Sequence, residues 1–439
     1  MNKTLAAGAI AAAMLLAACS GGAKKSPGAP ATVAKNPASV SGDITVLTNR
    51  TDMVSDGSLK KYADDFNKVY PNVHVKFQGI TDYENEVKIR MNTTNYGDVL
   101  LIPSVSVVPK GTYPQFFSPL GKTVDLAKKY RYTDYGDVEG NVYGIAQNGN
   151  ANGFVYNKAV WQQAGITDWP TTPDQFLSDL KAIKDKTKSI PYYTNYHDAW
   201  PLSTWQSALG SPSCDPNAND DLATDKAPWA SGTDLNTIDT LLYNVVHDKL
   251  VEPDPTTTNW ENSKGLLANG KIATMWLGSW AVSQMQAAAT KAGKDPAAIG
   301  FMPFPVQKSG HFCSVDAPDY LQAINIHSKH QEAARAWLDW FTDKSPYATT
   351  QGDVPTLKAG QFPASLKPYQ DQGVQFVELA QDKTATVNKI DNEAEVGLTK
   401  PDYRQKIVDA ARGAGGGNLE GIFTSLNKKW ADAVKTAGS

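Results

Sequence analysis

Between Gly140 and Lys158 the chain reads GNVYGIAQNGNANGFVYNK, and Asn148, Asn150 and Asn152 alternate there with Gly149, Ala151 and Gly153. An asparagine amide both donates and accepts hydrogen bonds, and Asn and Gly tolerate backbone angles closed to other residues. Such a stretch suits non-covalent recognition of a polar ligand, a bend between two lobes, or no more than a surface hairpin. Asn148 and Asn150 are the side chains favoured for ligand contact. Covalent chemistry is poorly represented. Gly265–Lys271 (GLLANGK) approaches a phosphate-binding loop, but Ile272 stands where a Ser or Thr would hold Mg²⁺, and no buried strand precedes it. Gly413–Gly417 (GAGGG) lies in a polar helical tail and lacks the last glycine of a dinucleotide fingerprint. Neither G-x-S-x-G nor H-E-x-x-H occurs, and no Cys/His spacing suits zinc. A pair of Asp/Glu carboxylates acting on a glycosidic bond needs only to be close in space, so that chemistry stays open as the alternative.

The elements that would position these residues follow from periodicity. Ile44–Thr48 is an apolar β run; Leu59, Tyr62, Ala63, Phe66 and Val69 recur at helical spacing before Pro71; Val73, Val75 and Phe77 alternate as a strand. A helical stretch from about Tyr83 to Met91 precedes the short buried strand Asp98–Ile102. Strand, helix, strand, helix, strand is the βαβ pattern of a mostly parallel sheet, in which ligands lie outside the carboxyl ends of the strands. Asn49, Arg50 and Asp52 follow the first strand, Tyr83 and Glu84 the second, and Ser104 the third. Further on, Thr172 is placed to cap a helix with Pro173 at its first position, and Phe176, Leu177, Leu180 and Ile183 form its apolar face. Residues 211–234 read as a loop insertion, Ile299 onwards and Tyr320–Ile326 as strands, His330–Phe341 as an amphipathic helix, and residues 346–439 as a helical tail.

The chain has 439 residues, too many for one ordinary core, so two lobes are expected. A formal net charge of −3 excludes the electrostatic footprint of a nucleic-acid binder. No internal repeat marks an elongated adhesion protein. Eleven Trp and 18 Tyr are the unusual entries in the composition.

The N-terminus is a targeting segment. Lys3, an apolar run from Leu5 to Ala18, then Leu16-Ala17-Ala18-Cys19 before Ser20-Gly21-Gly22 resemble a bacterial lipoprotein signal. The resemblance implies that residues 1–18 are removed and that Cys19 is lipidated, by palmitate or a similar acyl chain, anchoring the protein on the outer face of a bacterial membrane. Residues 20–42, rich in Gly, Ala, Pro, Ser and Lys, then read as a flexible tether, giving 19–42 with the lipidated cysteine. Export leaves Cys214 and Cys313 as an even pair; a disulfide between them and two separate thiols both stay open.

Several dispersed motifs resemble the extracellular solute-binding proteins of carbohydrate ABC transporters, the maltose-binding-protein-like group. They are Tyr143-Gly144-Ile145, Tyr156-Asn157-Lys158, Ala164-Gly165-Ile166, Leu267–Met275, Gly278-Ser279-Trp280, Ile299-Gly300-Phe301 through Pro303 and Pro305, and Ile326–Phe341. Their order along nearly the whole mature chain carries the resemblance. It implies an α/β, two-lobed periplasmic-binding-protein-like fold, each lobe a mixed, mostly parallel sheet flanked by helices, with several hinge crossings. The first lobe would comprise about 43–147 plus 306–345, and the second about 148–305 plus 346–439. It further implies an oligosaccharide ligand, no covalent chemistry, no cofactor or metal, delivery to the transmembrane subunits of an ABC permease, and a monomer.

A sugar offers hydroxyl edges to hydrogen-bonding groups and apolar C–H faces to aromatic rings, for which Trp is the best platform. By position in the resembling proteins, Trp280 is the leading stacking residue. Tyr196, His197, Asp198, Trp200 and Trp205 match another sugar-facing stretch of the second lobe. Asp316 and Asp319 enter the site before the returning strand, where this chain departs from the glycine-rich pattern of relatives. Trp161, Trp337, Trp340 and Trp430 are assigned to core or interface packing, and Trp260 and Trp276 stay undecided. The competing function is a surface carbohydrate-active enzyme using an Asp/Glu pair; a lipid-anchored adhesion protein is the third.

Overall fold

A computed structural model describes residues 30, 32–104 and 107–437. The signal segment and Cys19 lie outside the described residues. Strands β1 (Ser41–Thr48), β2 (Asn72–Gly79) and β3 (Val99–Leu101) are joined by the helices Ser58–Asn67 and Tyr83–Arg90. Short strands β4 (Gly121–Lys122), β5 (Asp137–Val138) and β6 (Asn141–Val142) form a small separate sheet. Then come β7 (Ile145–Ala146), β8 (Gly149–Asn157), β9 (Thr274–Gly278), β10 (Ile299–Met302), β11 (Gln307–Lys308), β12 (His311–Pro318), β13 (Leu321–Ile324) and β14 (Gln375–Val377).

The first main sheet has the order β2-β1-β3-β13-β7. Its β1 runs parallel to both β2 and β3, and β13 closes it antiparallel to β3 and β7. Helix Ser58–Asn67 covers it because Leu59, Tyr62, Ala63 and Phe66 make one buried stripe at helical spacing. Trp337 and Phe341 of helix Gln331–Asp343 pack into the same core. Order begins before Asp43: Val33 packs on this core and the Ala34 amide donates to Glu332 at 2.7 Å.

The second sheet follows β10-β8-β12-β11, with β9 beside β8 and β14 beside β12. It was expected to be mostly parallel. Its ladders β8–β9, β8–β10, β8–β12 and β11–β12 are antiparallel, and only β12–β14 is parallel. The chain here returns through β8 and β12 as long strands spanning the two lobes, which a simple βαβ succession does not produce. The helix Pro173–Lys186 covers this sheet with Phe176, Leu180 and Ile183, and Thr172 caps it by accepting from the Gln175 amide. Cys214 and Cys313 form a disulfide that ties the 211–234 stretch to β12.

Among the described residues three crossings, at 148–149, 318–319 and 353–354, run between the lobes, and Gly149 is their centre. It pairs with Pro318 of β12 on one edge and with Val354 on the other, exchanging two backbone hydrogen bonds of 2.7 Å with Val354. From Gly149 onward the Asn/Gly stretch is therefore strand rather than the loop its composition suggests, with Gln147 and Asn148 lying between β7 and β8. Asn and Gly are poor strand formers, but here neighbours on both edges satisfy the backbone. The glycine serves close approach, since a Cβ at position 149 would lie 2.0 Å from the Tyr132 hydroxyl.

Candidate functional site

The crossing strand β8 organises the polar residues around it. Asn148 is buried, donates its Nδ2 to Asp353 Oδ2 at 2.7 Å, and accepts the Asp319 amide at its backbone carbonyl. Asn150 and Asp316 are neighbours across the β8–β12 ladder, which pairs Ala151 with Asp316 and Asn150 with Ala317. Buried Asp316 accepts the Tyr132 hydroxyl at 2.8 Å. Lost hydration raises its carboxyl to about 7, helped by the charge of Glu378 and opposed by Tyr132 and Arg131. Asn148 Oδ1, Asn150 Oδ1, Asp316 Oδ1, Asp353 Oδ1 and Ser279 Oγ are buried atoms with no hydrogen-bond partner in the protein. An unsatisfied buried polar atom costs about 1–3 kcal/mol, so five around one strand mark a place built to meet polar groups from elsewhere.

The loop after β1 brings Arg50 to this junction. A γ-turn, in which the Thr51 amide donates to the Asn49 carbonyl across Arg50 at φ −82°, ψ 64°, turns the guanidinium inward. It donates to Asp52 at 2.7 and 3.0 Å, to Gln351 at 2.8 Å and to Tyr347. Asp52 is exposed, and its bond from Arg50 holds it below the usual carboxylate range. Asp319 keeps an open edge to solvent, yet the protein packed around it strips enough hydration to push its carboxyl up to about 6 against the pull of Arg50. Glu84 joins two further loops, accepting the Tyr320 hydroxyl at 2.9 Å on one oxygen and the Ser104 amide and hydroxyl on the other. Its neighbour Tyr83 serves the core instead. Tyr83 is buried, its hydroxyl donating to the Leu101 carbonyl and accepting the Leu101 amide, so β3 occupies the polar atom expected to face a ligand.

On the other side of β8, the ladder to β9 pairs Asn152 with Gly278 and delivers Trp280 to the start of the helix Trp280–Lys291. Trp280 meets Trp200 and Trp260, with ring centres 5.1 Å (200–260), 5.6 Å (260–280) and 6.0 Å (200–280) apart. All three are half-buried, leaving ring surface open. Ala199 presents Trp200 through a second γ-turn, at φ 64°, ψ −41°, in which the Trp200 amide donates to the Asp198 carbonyl at 2.7 Å. That backbone is strained for a residue with a Cβ, and such strain is retained where a side chain must be aimed. The Asp198 side chain accepts the Trp260 amide, locking two of the three rings to one another.

The remaining expected residues are placed elsewhere. Trp205 is fully buried and donates to the Tyr192 hydroxyl at 3.0 Å, packed against Phe154 and Trp276. It belongs to the core, as does Trp276. The Tyr196 hydroxyl points to Asp409 of the tail, with Arg412 over its ring, and the exposed His197 is held by its amide to Thr258. Asp353, Tyr320 and Tyr132 join the site without a signal for it in the sequence, and Trp260, undecided from the sequence, joins the patch. No pattern in the sequence around Asp353 signals a junction, and Tyr320 is legible only as the first residue of the expected strand Tyr320–Ile326. Among the described residues no group of three or more His, Cys, Asp or Glu side chains could hold a metal ion. The arrangement can stack the apolar face of a ligand on indole and hydrogen-bond its edges through carboxylates, amides and a guanidinium.

Residues 51–348 match the profile of the family described as bacterial extracellular solute-binding protein. A multiple sugar-binding protein from Streptococcus mutans is 26% identical over 308 residues, covering 65% of this chain and 68% of that protein. The structure of BlMnBP1, a binding protein of an ABC transporter from Bifidobacterium animalis subsp. lactis in complex with mannobiose, is 34% identical. It covers 92% of this chain and 96% of its own with a TM-score of 0.80. The manno-oligosaccharide-specific solute-binding protein BlMnBP2 of the same organism, in complex with mannotriose, is 31% identical with the same coverage and a TM-score of 0.81.

Proposed function

The chain belongs to the bacterial extracellular solute-binding proteins, and from that premise we propose that it captures a short manno-oligosaccharide between its lobes for an ABC importer. The observation that carries this reading is the three-tryptophan patch beside a row of orphaned polar atoms at the lobe junction. Trp200, Trp260 and Trp280 would take the C–H faces of successive sugar rings. Asn150, Asp316, Asp319, Arg50, Asp52 and Glu84 would take hydroxyls, with Asn49 and Ser104 at the rim and Asn148 committed to Asp353. The lobes we assign to this action are residues 43–148 with about 319–353 and residues 149–318 with about 354–437, rather than with breaks at 306 and 346, because β11 and β12 lie in the second sheet and Tyr347 packs in the first core. The protein binds as a monomer and without covalent chemistry, since capture and release by lobe motion needs no catalyst.

A thermal-shift screen tests the ligand class, because a ligand bound only by the folded state raises the melting temperature. Mannobiose and mannotriose are expected to raise it, and sugar recovered from denatured protein is expected to be intact. Time-dependent cleavage would establish the carbohydrate-active enzyme instead. Lipidation at Cys19 supplies the anchor in this reading; Cys19→Ala should release the protein from membranes, and retention there would remove the anchor assignment.

A further inference from the structure

Two of the orphaned oxygens belong to groups that already share a hydrogen bond. Asn148 of the first crossing gives its Nδ2 to Asp353 Oδ2 of the third, and both Oδ1 atoms are left buried and unpartnered. Asn148 is 2% exposed and Asp353 3%. An ionised carboxylate only accepts, so it cannot relieve the amide oxygen beside it; a protonated one gains a donor. One proton on Asp353 therefore converts two unsatisfied acceptors into a donor and an acceptor on adjoining groups. We propose that Asp353 is held as a neutral carboxylic acid bonded to both ends of the Asn148 amide, a proton-dependent clamp between the first and third crossings.

The surroundings favour the proton. Burial, then the negative charge of Asp319 from the second crossing, hold the Asp353 carboxyl well above its ordinary range; Arg50 and the Asn148 amide oppose this. Tyr347, packed on the same junction from the helix Tyr347–Gln351, meets the charges of Asp319, Asp353 and Arg50. Arg50 is itself committed to Asp52, Gln351 and Tyr347, so among the described residues Asp353 has no ion-pair partner. The clamp closes around Gly149, whose backbone bonds to Val354 connect the same two crossings. Loss of the proton would leave a bare buried carboxylate facing Asp319 and weaken the tie between crossings that must bend together when lobes move.

The clamp belongs to the hinge and stands or falls independently of which sugar binds. Carbon-13 NMR of aspartate-labelled, ligand-free mature protein tests it, the Asp353 signal being the one missing from Asp353→Asn. That signal is expected to titrate well above the range of ordinary aspartates, whose pKa is about 3.9. Asp319→Asn should lower its midpoint by removing a like charge, and Arg50→Gln should raise it. These opposite shifts would show that Asp353 lies in the field of both groups, and the raised midpoint itself marks the clamp. Thermal unfolding gives a second readout. Because the folded pKa is raised, wild-type melting temperature should fall as pH rises from about 4 through the folded-state titration, relative to Asp353→Asn. A signal titrating near 4 with the other aspartates, or parallel melting curves for the two proteins, would overturn the clamp.

Discussion

Two buried polar clusters in this protein are built on opposite rules. In the second lobe Asp239 and Arg404 are both completely buried and completely partnered. Asp239 accepts Arg404 Nε at 3.1 Å, Trp229 Nε1 at 3.0 Å and the Tyr403 hydroxyl, while the guanidinium also reaches the Leu398 carbonyl and Gln206. This network fastens the tail helix Pro401–Ala411 to the helix Asp234–His247. At the lobe junction Asn148, Asp316 and Asp353 are as deeply buried, yet each leaves an oxygen unpaired. The first cluster balances its charges internally and holds the fold. The second carries an unfavourable polar surplus that a ligand hydroxyl or a proton relieves.

Mutations should separate the two. Arg404→Met leaves Asp239 buried without its cation and is expected to cost about 3–5 kcal/mol of stability in a denaturant titration, with sugar affinity of the folded protein unchanged. Trp280→Ala should reverse that profile, losing about 2 kcal/mol or more of binding as a stacking anchor and less stability than the Arg404 variant. Asp316→Asn tests the surplus directly. With its folded pKa raised to about 7, the wild-type carboxyl erodes stability as pH climbs from about 4 to 7. The amide variant should therefore gain about 1–3 kcal/mol at pH 8 and almost nothing at pH 4, and a gain equal at both would contradict the assignment. Tyr196→Phe is expected to be the smallest change, about 1 kcal/mol of stability from the lost bond to Asp409 and no loss of affinity.

Elements governed by local chemistry were legible in the sequence. The Thr172 cap, Pro173 and the apolar face from Phe176 to Ile183 specify their helix without reference to the rest of the chain. Strand β1 and the helix Ser58–Asn67 announce themselves by period. What failed depends on distant partners. The Asn/Gly stretch is strand from Gly149 because β9, β12 and Val354 pair with it. Trp200 and Trp205 are chemically identical and five residues apart, but the γ-turn at Ala199 sends one to the patch while the other meets Tyr192 inside the core. Tyr83 carries a hydroxyl that suits a ligand until β3 is seen to use it. Asp353 gains meaning only when folding sets it against Asn148, 205 positions away in the chain.

Isothermal titration with mannotriose of the wild type and of Trp200→Ala and Trp280→Ala, each checked for folding, tests the central claim most directly. The account predicts saturable one-site binding by the wild type and at least a tenfold loss in each variant, equivalent to about 1.4 kcal/mol. Wild-type protein that binds no manno-oligosaccharide, or variants that bind as tightly as the wild type, would contradict it.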